Sequence, residues 1–498
     1  MTLQGAGLES WLITGILTTT TPLHIGNGDT TTRPGELVND KNKDIEINEV
    51  ITDYRDKPYI PGSTIKGNLR AWLTKAGANK DVLKDIFGSD DSKKKDAIGG
   101  KAEFHDAMLA GERVFGDDEL KRPSYWCPSR QTGVNVSVTI NRQTGSAREK
   151  RLFHEEFVPA GVSFSLSIVG RDMTKAEAEY LLYALSQSCN PNTDDPLTMG
   201  SGTADSNGRF SWKLSEVRQL TQAGVKKWWD EGCTQAGAAI IATYGDKVES
   251  LNTPGLSAES PPLRIDVTLA FDGSFLVNDP SRTNDGKADP ARKTADHRPR
   301  LDKEGKPALP ESSFRGAFRA QAEKIIRTMG GWACRVDDPL LACKPIRKAS
   351  GKNRLCLACQ LFGSPGWKSL VEIEPFTLGQ AVWNSFTQDF IAVDRFTGGV
   401  KVGAKFDAES VLMPTYRGAI KIDTKRIEPW GVGLLALVLR DLCEGDISFG
   451  FGSSKGYGGC TGTLTWGNKR YPESPWGDFA EQVLALEQKI TEIKEVTR

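Results

Sequence analysis

"YIPGSTIKGNLR", residues 59–70, reads as a Pro-terminated turn running into a helix, with Ser63 as the expected cap. It also puts two cations, Lys66 and Arg70, in the helix's opening turns. A helix N-terminus carries partial positive charge, so cations are disfavoured there. Placed four residues apart on one face, the two also repel one another by roughly 0.2–0.5 kcal/mol. An anion lying at the helix start would offset both penalties, because backbone N–H groups and the dipole would then act with the side chains.

The stretch returns. "ALPESSFRGAFR", residues 308–319, aligns with it without gaps at an offset of 249, pairing Pro61 with Pro310, Ser63 with Ser312, Lys66 with Arg315 and Arg70 with Arg319. The turns before them correspond too, "DYRDKP" at 53–58 and "DKEGKP" at 302–307. "IFGS" at 86–89 has its partner in "LFGS" at 361–364. At an offset of 253, "NRQTGSAREKRLFHEE" (141–156) meets "DRFTGGVKVGAKFDAE" (394–409), pairing Arg142 with Arg395, Phe153 with Phe406 and Glu156 with Glu409. The preserved order indicates a tandem duplication.

Each copy has the same layout. An alternating strand leads into a long polar loop, the capped helix, a Thr-Gly hairpin, a strand, a second helix and a glycine-rich turn before a last strand. Strand–helix–strand twice around one sheet is the ferredoxin-like, split βαβ pattern, so the fold class expected is α+β. The expected units are 1–220, a linker at 221–262 ending in "TPGLSAESPP" (253–262), a second unit at 263–472, and a lone amphipathic helix at 473–498.

Bulk properties narrow the function classes. A chain of 498 residues exceeds one core, and 38% hydrophobic with 26% charged residues is an ordinary globular profile. No run approaches the roughly 18 apolar residues of a membrane span, so no membrane partner is expected. "MTLQGAGLESWLITG" has no basic region ahead of an apolar core, and nine cysteines of mixed spacing suit a reducing cytoplasm. Net charge is zero, so a nucleic-acid partner would be served by local patches.

Two such patches are the repeated basic pairs. Lys66, Arg70, Arg315 and Arg319 are read as phosphate contacts; a solvated basic face is the alternative. The second copy also carries an insertion at 330–360 with Cys334, Cys343, Cys356 and Cys359, spaced C-x8-C-x12-C-x2-C. Four thiolates with one CxxC knuckle suit tetrahedral zinc. The polar, Pro/Gly-rich segment between them could not pack unaided, so the zinc is read as structural. Cys127, Cys189, Cys233, Cys443 and Cys460 are scattered and read as incidental.

"TPLHIGNGD", "YIPGSTIKGNLR", "IFGS", the R-x-TG…LFxxE hairpin and the closing glycine-rich turn together resemble the RAMP superfamily of CRISPR systems. The two-copy chain with its four-cysteine insertion is most similar to the fused backbone subunits of type III-D-like effector complexes. The resemblance implies tandem ferredoxin-like, RRM-like domains strung on a guide RNA, with target RNA and other effector subunits as partners. It makes the hairpins thumbs, whose Arg142, Arg148, Lys150, Arg151, Arg395, Lys401 and Lys405 could meet phosphates. It also gives the glycine-rich turn with Lys455 a backbone contact; "GFGSSKGYGG" is no Walker A motif, lacking a following Gly-Lys-Ser/Thr.

The family's target-RNA nuclease uses an Asp six residues before the acidic residue that opens the Pro-terminated turn. Six before Asp302 is Asp296; six before Asp53 is Ile47. The second copy thus keeps the acid, whereas in the first only a neighbour such as Asp44 or Glu46 could substitute. The implied chemistry is 2′-OH attack on the adjacent phosphate, with a 2′,3′-cyclic end and with Mg²⁺ as a conceivable aid. His297 could titrate near neutrality, although a surface-loop His is usually idle. Competing readings are a non-cleaving capping subunit and a stand-alone guide-processing RNase. The latter relies on His and Tyr acid–base pairs, and the chain has only four His.

Overall fold

The protein is described by a computed structural model covering residues 10–34, 44–89, 97–115, 122–141, 146–190, 193–249, 252–256, 262–282, 295–335, 341–343, 355–473 and 479–497. In the first half, β1 (Ser10–Thr19) turns Trp11, Ile13 and Leu17 into one core, as its alternation requires. β2 (Asp44–Val50) precedes α1 (Gly62–Lys75), whose buried Ile65, Leu69 and Leu73 form one helical stripe. Next come β3 (Ala102–Phe104), the ribbon strands β4 (Gly133–Ile140) and β5 (Ala147–Phe157), then β6 (Ser163–Gly170), α2 (Lys175–Ser188) and β7 (Phe210–Leu220). The sheet runs β7–β1–β6 with β3 on the far side of β6, all antiparallel. That is the ferredoxin-like order.

The second half repeats it. β8 (Leu263–Phe271) buries Ile265, Val267, Leu269 and Phe271 in strict alternation. α3 (Glu311–Thr328) buries Phe314, Phe318, Ala322 and Ile326, and the short α4 (Leu357–Phe362) follows. Then come β9 (Val371–Ile373), the ribbon strands β10 (Ser385–Val393) and β11 (Val400–Leu412), β12 (Thr415–Ile422), α5 (Pro429–Glu444) and β13 (Cys460–Trp466). The order is β9–β12–β8–β13, again antiparallel. α6 (Phe479–Thr497) packs Leu486 and Ile490 into this core, and Gly433 of α5 lets the Gln482 backbone approach closely.

Two expectations need correction. Neither Ser63 nor Ser312 caps its helix: both are exposed, and Pro61 and Pro310 hold the cap positions with no side-chain bond. Proline's fixed φ starts each helix just after it. The Gly62 N–H instead donates to the Asp106 carboxylate (2.8 Å), and a Cβ at Gly62 would run into the Phe104 carbonyl. The stretch 221–262 is only partly a linker. It forms helices Gln222–Asp230 and Ala238–Tyr244, and Asp246–Lys247 pairs onto the edge of the first sheet.

The halves meet through polar contacts. Ser206 Oγ donates to the Ile373 carbonyl (2.6 Å), Arg209 pairs with Glu372 (2.6 Å), and Asp205 lies 3.6 Å from Arg315. Glu311, in the first turn of α3, shares this junction, and burial pushes its carboxyl up to about 7, with Asp205 adding to the shift and Arg300 and Arg209 opposing it. A raised carboxylate stabilises the fold fully at low pH and loses that contribution as pH rises through 7. Glu311→Gln is therefore expected to be more stable than wild type at pH 8, by on the order of 1–3 kcal/mol, with the difference gone by pH 5. Melting curves at the two pH values read this out; a constant difference contradicts it.

Candidate functional site

Asp296 lies exposed where the loop before α3 runs alongside β11. Its N–H donates to Asp407 Oδ1 (2.7 Å), and the Asp407 N–H donates back to Asp296 Oδ2 (3.0 Å). His297 continues the pairing as a parallel bridge to Ala408, donating to the Asp407 carbonyl (3.2 Å) and accepting from the Glu409 N–H (2.9 Å). Glu409 in turn takes the Arg298 guanidinium at 2.9 Å. These bonds fix an acidic loop to a β-ribbon.

His297 is packed against the ribbon and is not on a free loop. Its ring lies edge-on to Phe406 (centroids 5.5 Å apart) and tilted on Phe451 (4.8 Å). Its Nδ1 is buried with no hydrogen-bond partner among the described residues. Burial holds its pKa below the ordinary value, against the pull of Asp296, so the neutral imidazole is favoured at neutral pH. The Lys455 ammonium stands 5.1 Å from the Phe451 ring and 5.8 Å from that of Phe406, within cation–π range. One surface thus carries two carboxylates, an imidazole and an ammonium over an aromatic floor.

The first half has the same backbone and different chemistry. β2 and β5 pair in parallel through Ile47↔His154 and Asn48↔Glu155. By the two offsets these are the counterparts of Asp296 with Asp407 and of His297 with Ala408. Ile47 is fully buried against Ile45 and Val134, and His154 is buried too. Among the described residues no carboxylate takes Asp296's place here. Asp44 opens β2 three residues earlier, in register with Pro34, and its side chain lies outside the described residues. The motif's Glu156, counterpart of Glu409, is structural: it accepts from Arg130 (2.8 and 3.0 Å), Thr132 (2.7 Å) and the Val50 N–H (3.1 Å).

The basic residues divide. Arg315 is spent internally, donating to the carbonyls of Val371 (2.9 Å) and Phe362 and to Ser369 Oγ (3.2 Å). Arg319 donates to Glu323 (2.9 Å), the Gly363 carbonyl (3.2 Å) and Cys359 Sγ (3.1 Å). Neither guanidinium stands open to a phosphate, because burial made internal acceptors the cheaper partners. Lys66 is half-buried with no ion pair or hydrogen bond to a described residue, and Arg70 is half-buried and partnered. Arg395 and Lys401 are exposed at the end of the β10–β11 ribbon, where Phe396 is 100% exposed. Lys405 is exposed too, 3.3 Å from Asp389. Arg148 is half-buried with a partner; Arg142 lies outside the described residues, as do the side chains of Lys150 and Arg151.

Cys334, Cys343, Cys356 and Cys359 converge, with all four sulfurs within 4.8 Å of one another. The Cys359 N–H donates to Cys356 Sγ (3.4 Å) and the Cys356 N–H to Cys343 Sγ (3.3 Å), as in a metal knuckle. Thiol hydrogen bonds, that from Cys343 foremost, hold Cys334 far below its ordinary pKa, while Cys343, Cys356 and Cys359 are pushed up. Four thiols so crowded ionise together only around a cation, and this closed donor set fits zinc.

Sequence reasoning missed Asp407, Phe396 and Phe451. Asp407 was within reach, because the 253-residue offset sets it opposite His154. Its meeting with Asp296, 111 residues away, needed the fold.

Two ferredoxin-like sheets, each bearing a projecting ribbon and a glycine-rich turn, define an α+β architecture suited to nucleic acid. The model of the RAMP superfamily matches residues 16–211 and again 192–461. The chain belongs to that superfamily, which makes it a CRISPR-associated effector subunit with RNA as a partner. Comparison with curated proteins finds no match. Among the described residues no helix is long and apolar enough to cross a membrane.

Proposed function

We propose that the chain is a tandem-fused backbone subunit of a type III, III-D-like, effector complex, with RAMP units at 1–220 and 263–472. It binds guide RNA along both units and cuts target RNA once, at Asp296. The observation that carries this is the reciprocal Asp296–Asp407 lock beside an exposed, basic, aromatic ribbon. The buried Ile47 and His154 at the matching place favour a first unit that holds RNA without cutting. Guide contacts fall to Arg395, Lys401, Lys455 and Arg148, with Phe396 stacking on a base. Zinc held by the four cysteines would supply folding energy and no chemistry of the cut.

In the reaction O2′ attacks the adjacent phosphorus and the P–O5′ bond breaks. The O2′ proton leaves, and another reaches O5′, giving a 2′,3′-cyclic phosphate and a 5′-hydroxyl. Asp296 has Oδ2 tied to the Asp407 N–H, so Oδ1 is available to orient the 2′-OH and take its proton.

On this reading Asp407 positions Asp296. Asp407→Ala in the assembled complex is expected to slow single-turnover cleavage about 10²-fold, with RNA affinity unchanged, since misplacing a reacting group by about 1 Å costs that much. Asp407→Asn keeps an oxygen for the Asp296 N–H and should retain most of the rate. Equal losses in the two variants would remove the positioning role. Product ends analysed for cyclic phosphate test the reaction class itself.

A further inference from the structure

The two glycine-rich turns, 199–210 and 449–460, align at an offset of 250 and fold alike. Met199 N–H donates to the Gly208 carbonyl (2.9 Å), as Phe449 does to Gly458 (3.0 Å). Ser201 N–H reaches the His24 carbonyl (2.8 Å), and Phe451 reaches that of Leu276 (2.7 Å). Gly208 and Gly458 close the same loop on Pro22 (2.7 Å) and Ser274 (2.9 Å).

The first turn is a plug. It seats in the second half against the start of α3 and the edge strand β9, with Asp205 facing Arg315 and Arg209 paired with Glu372. The carboxylate of Asp205 is thus the anion that a cation at the helix start demands. The receiving face recurs in the first half. Lys66 holds Arg315's place, and Glu103 holds that of Glu372, each the middle residue of a three-residue edge strand. The next N–H continues the match, His105 to the Ser167 carbonyl (3.2 Å) and Glu374 to that of Ala419 (2.8 Å).

Among the described residues nothing plugs this face. Lys66 meets no partner among the described residues, and Glu103 has only the exposed Arg171 (3.0 Å). The chain's own second turn does not fit. It carries Lys455 and Gly459 where the first carries Asp205 and Arg209, which would set ammonium against ammonium. Stacking of the chain on itself is disfavoured by charge.

We propose that Lys66 and Glu103 form a docking face for the glycine-rich turn of a different subunit of the same fold. That turn carries an acid at Asp205's place and a base at Arg209's. The inference rests on the multi-subunit reading above, and it takes Lys66 away from phosphate. The test is carbodiimide cross-linking of the tagged full-length chain purified with its native subunits, followed by peptide mass spectrometry. Lys66 should be amide-linked to an Asp or Glu in a glycine-rich turn of another protein. Lys66→Glu should lower recovery of that protein at least tenfold while RNA recovery holds, and reversing the partner's acid to Lys should restore it. Linkage to a second copy of this chain overturns the inference, as does an unlinked Lys66, or Lys66 photo-cross-linked to 4-thiouridine-labelled RNA. Those results leave the functional reading intact. A chain that purifies with neither RNA nor other subunits overturns both.

Discussion

Asp296→Ala in the assembled complex is expected to remove one cut from the target-RNA ladder and leave RNA binding within twofold of wild type. The expected loss at that site is about 10²–10⁴-fold, the usual contribution of a positioned acid–base group. The variant should fold, because Asp296 is exposed and the His297–Ala408 bridge holds the loop without its carboxylate. Asp44→Ala should leave the ladder unchanged, since the matching place in the first half is filled by buried Ile47. Denaturing gels of end-labelled target read both. Two cuts per chain, one lost on changing Asp44, would move catalysis into the first half as well.

The second large effect concerns the cysteines. Cys356 and Cys359 are buried in the second core beside Leu357, Leu361 and Phe362, so the four-cysteine cluster and the hydrophobic core are one structure. Structural zinc in small domains contributes about 10–16 kcal/mol of binding free energy, so its loss should be felt as unfolding. One zinc per chain is expected by mass spectrometry. Cys359→Ser or strong chelation should lower the melting transition by on the order of 10 °C or more. Cys359 also accepts from the Arg319 guanidinium, so the change weakens one of the three contacts that hold this buried cation on α3. A chain with no zinc that melts unchanged under chelator contradicts the assignment.

Much of this was legible in the sequence because repetition doubles every weak signal. The alternation of Leu263–Phe271, the stripe of Ile65, Leu69 and Leu73, and the CxxC pair all appear in the structure as elements or clusters. Two kinds of thing were hidden. Local ambiguity hid the caps, since proline and serine both start helices and the deciding contact, Asp106 to Gly62, lies 44 residues away. Non-local burial hid the fate of Arg315 and Arg319, because a sequence shows charge but not which carbonyls and thiols surround it. Cations at a helix start call for an anion. In the second half that anion is a carboxylate of the protein itself, Asp205.

On the proposed function this chain holds guide RNA within a larger complex. Its most direct test is to purify the tagged protein from its native cells and sequence the RNA that accompanies it. RNAs sharing one repeat-derived 5′ end with variable inserts, together with other effector subunits, are the expected result. No RNA, or random fragments of cellular transcripts, would contradict it.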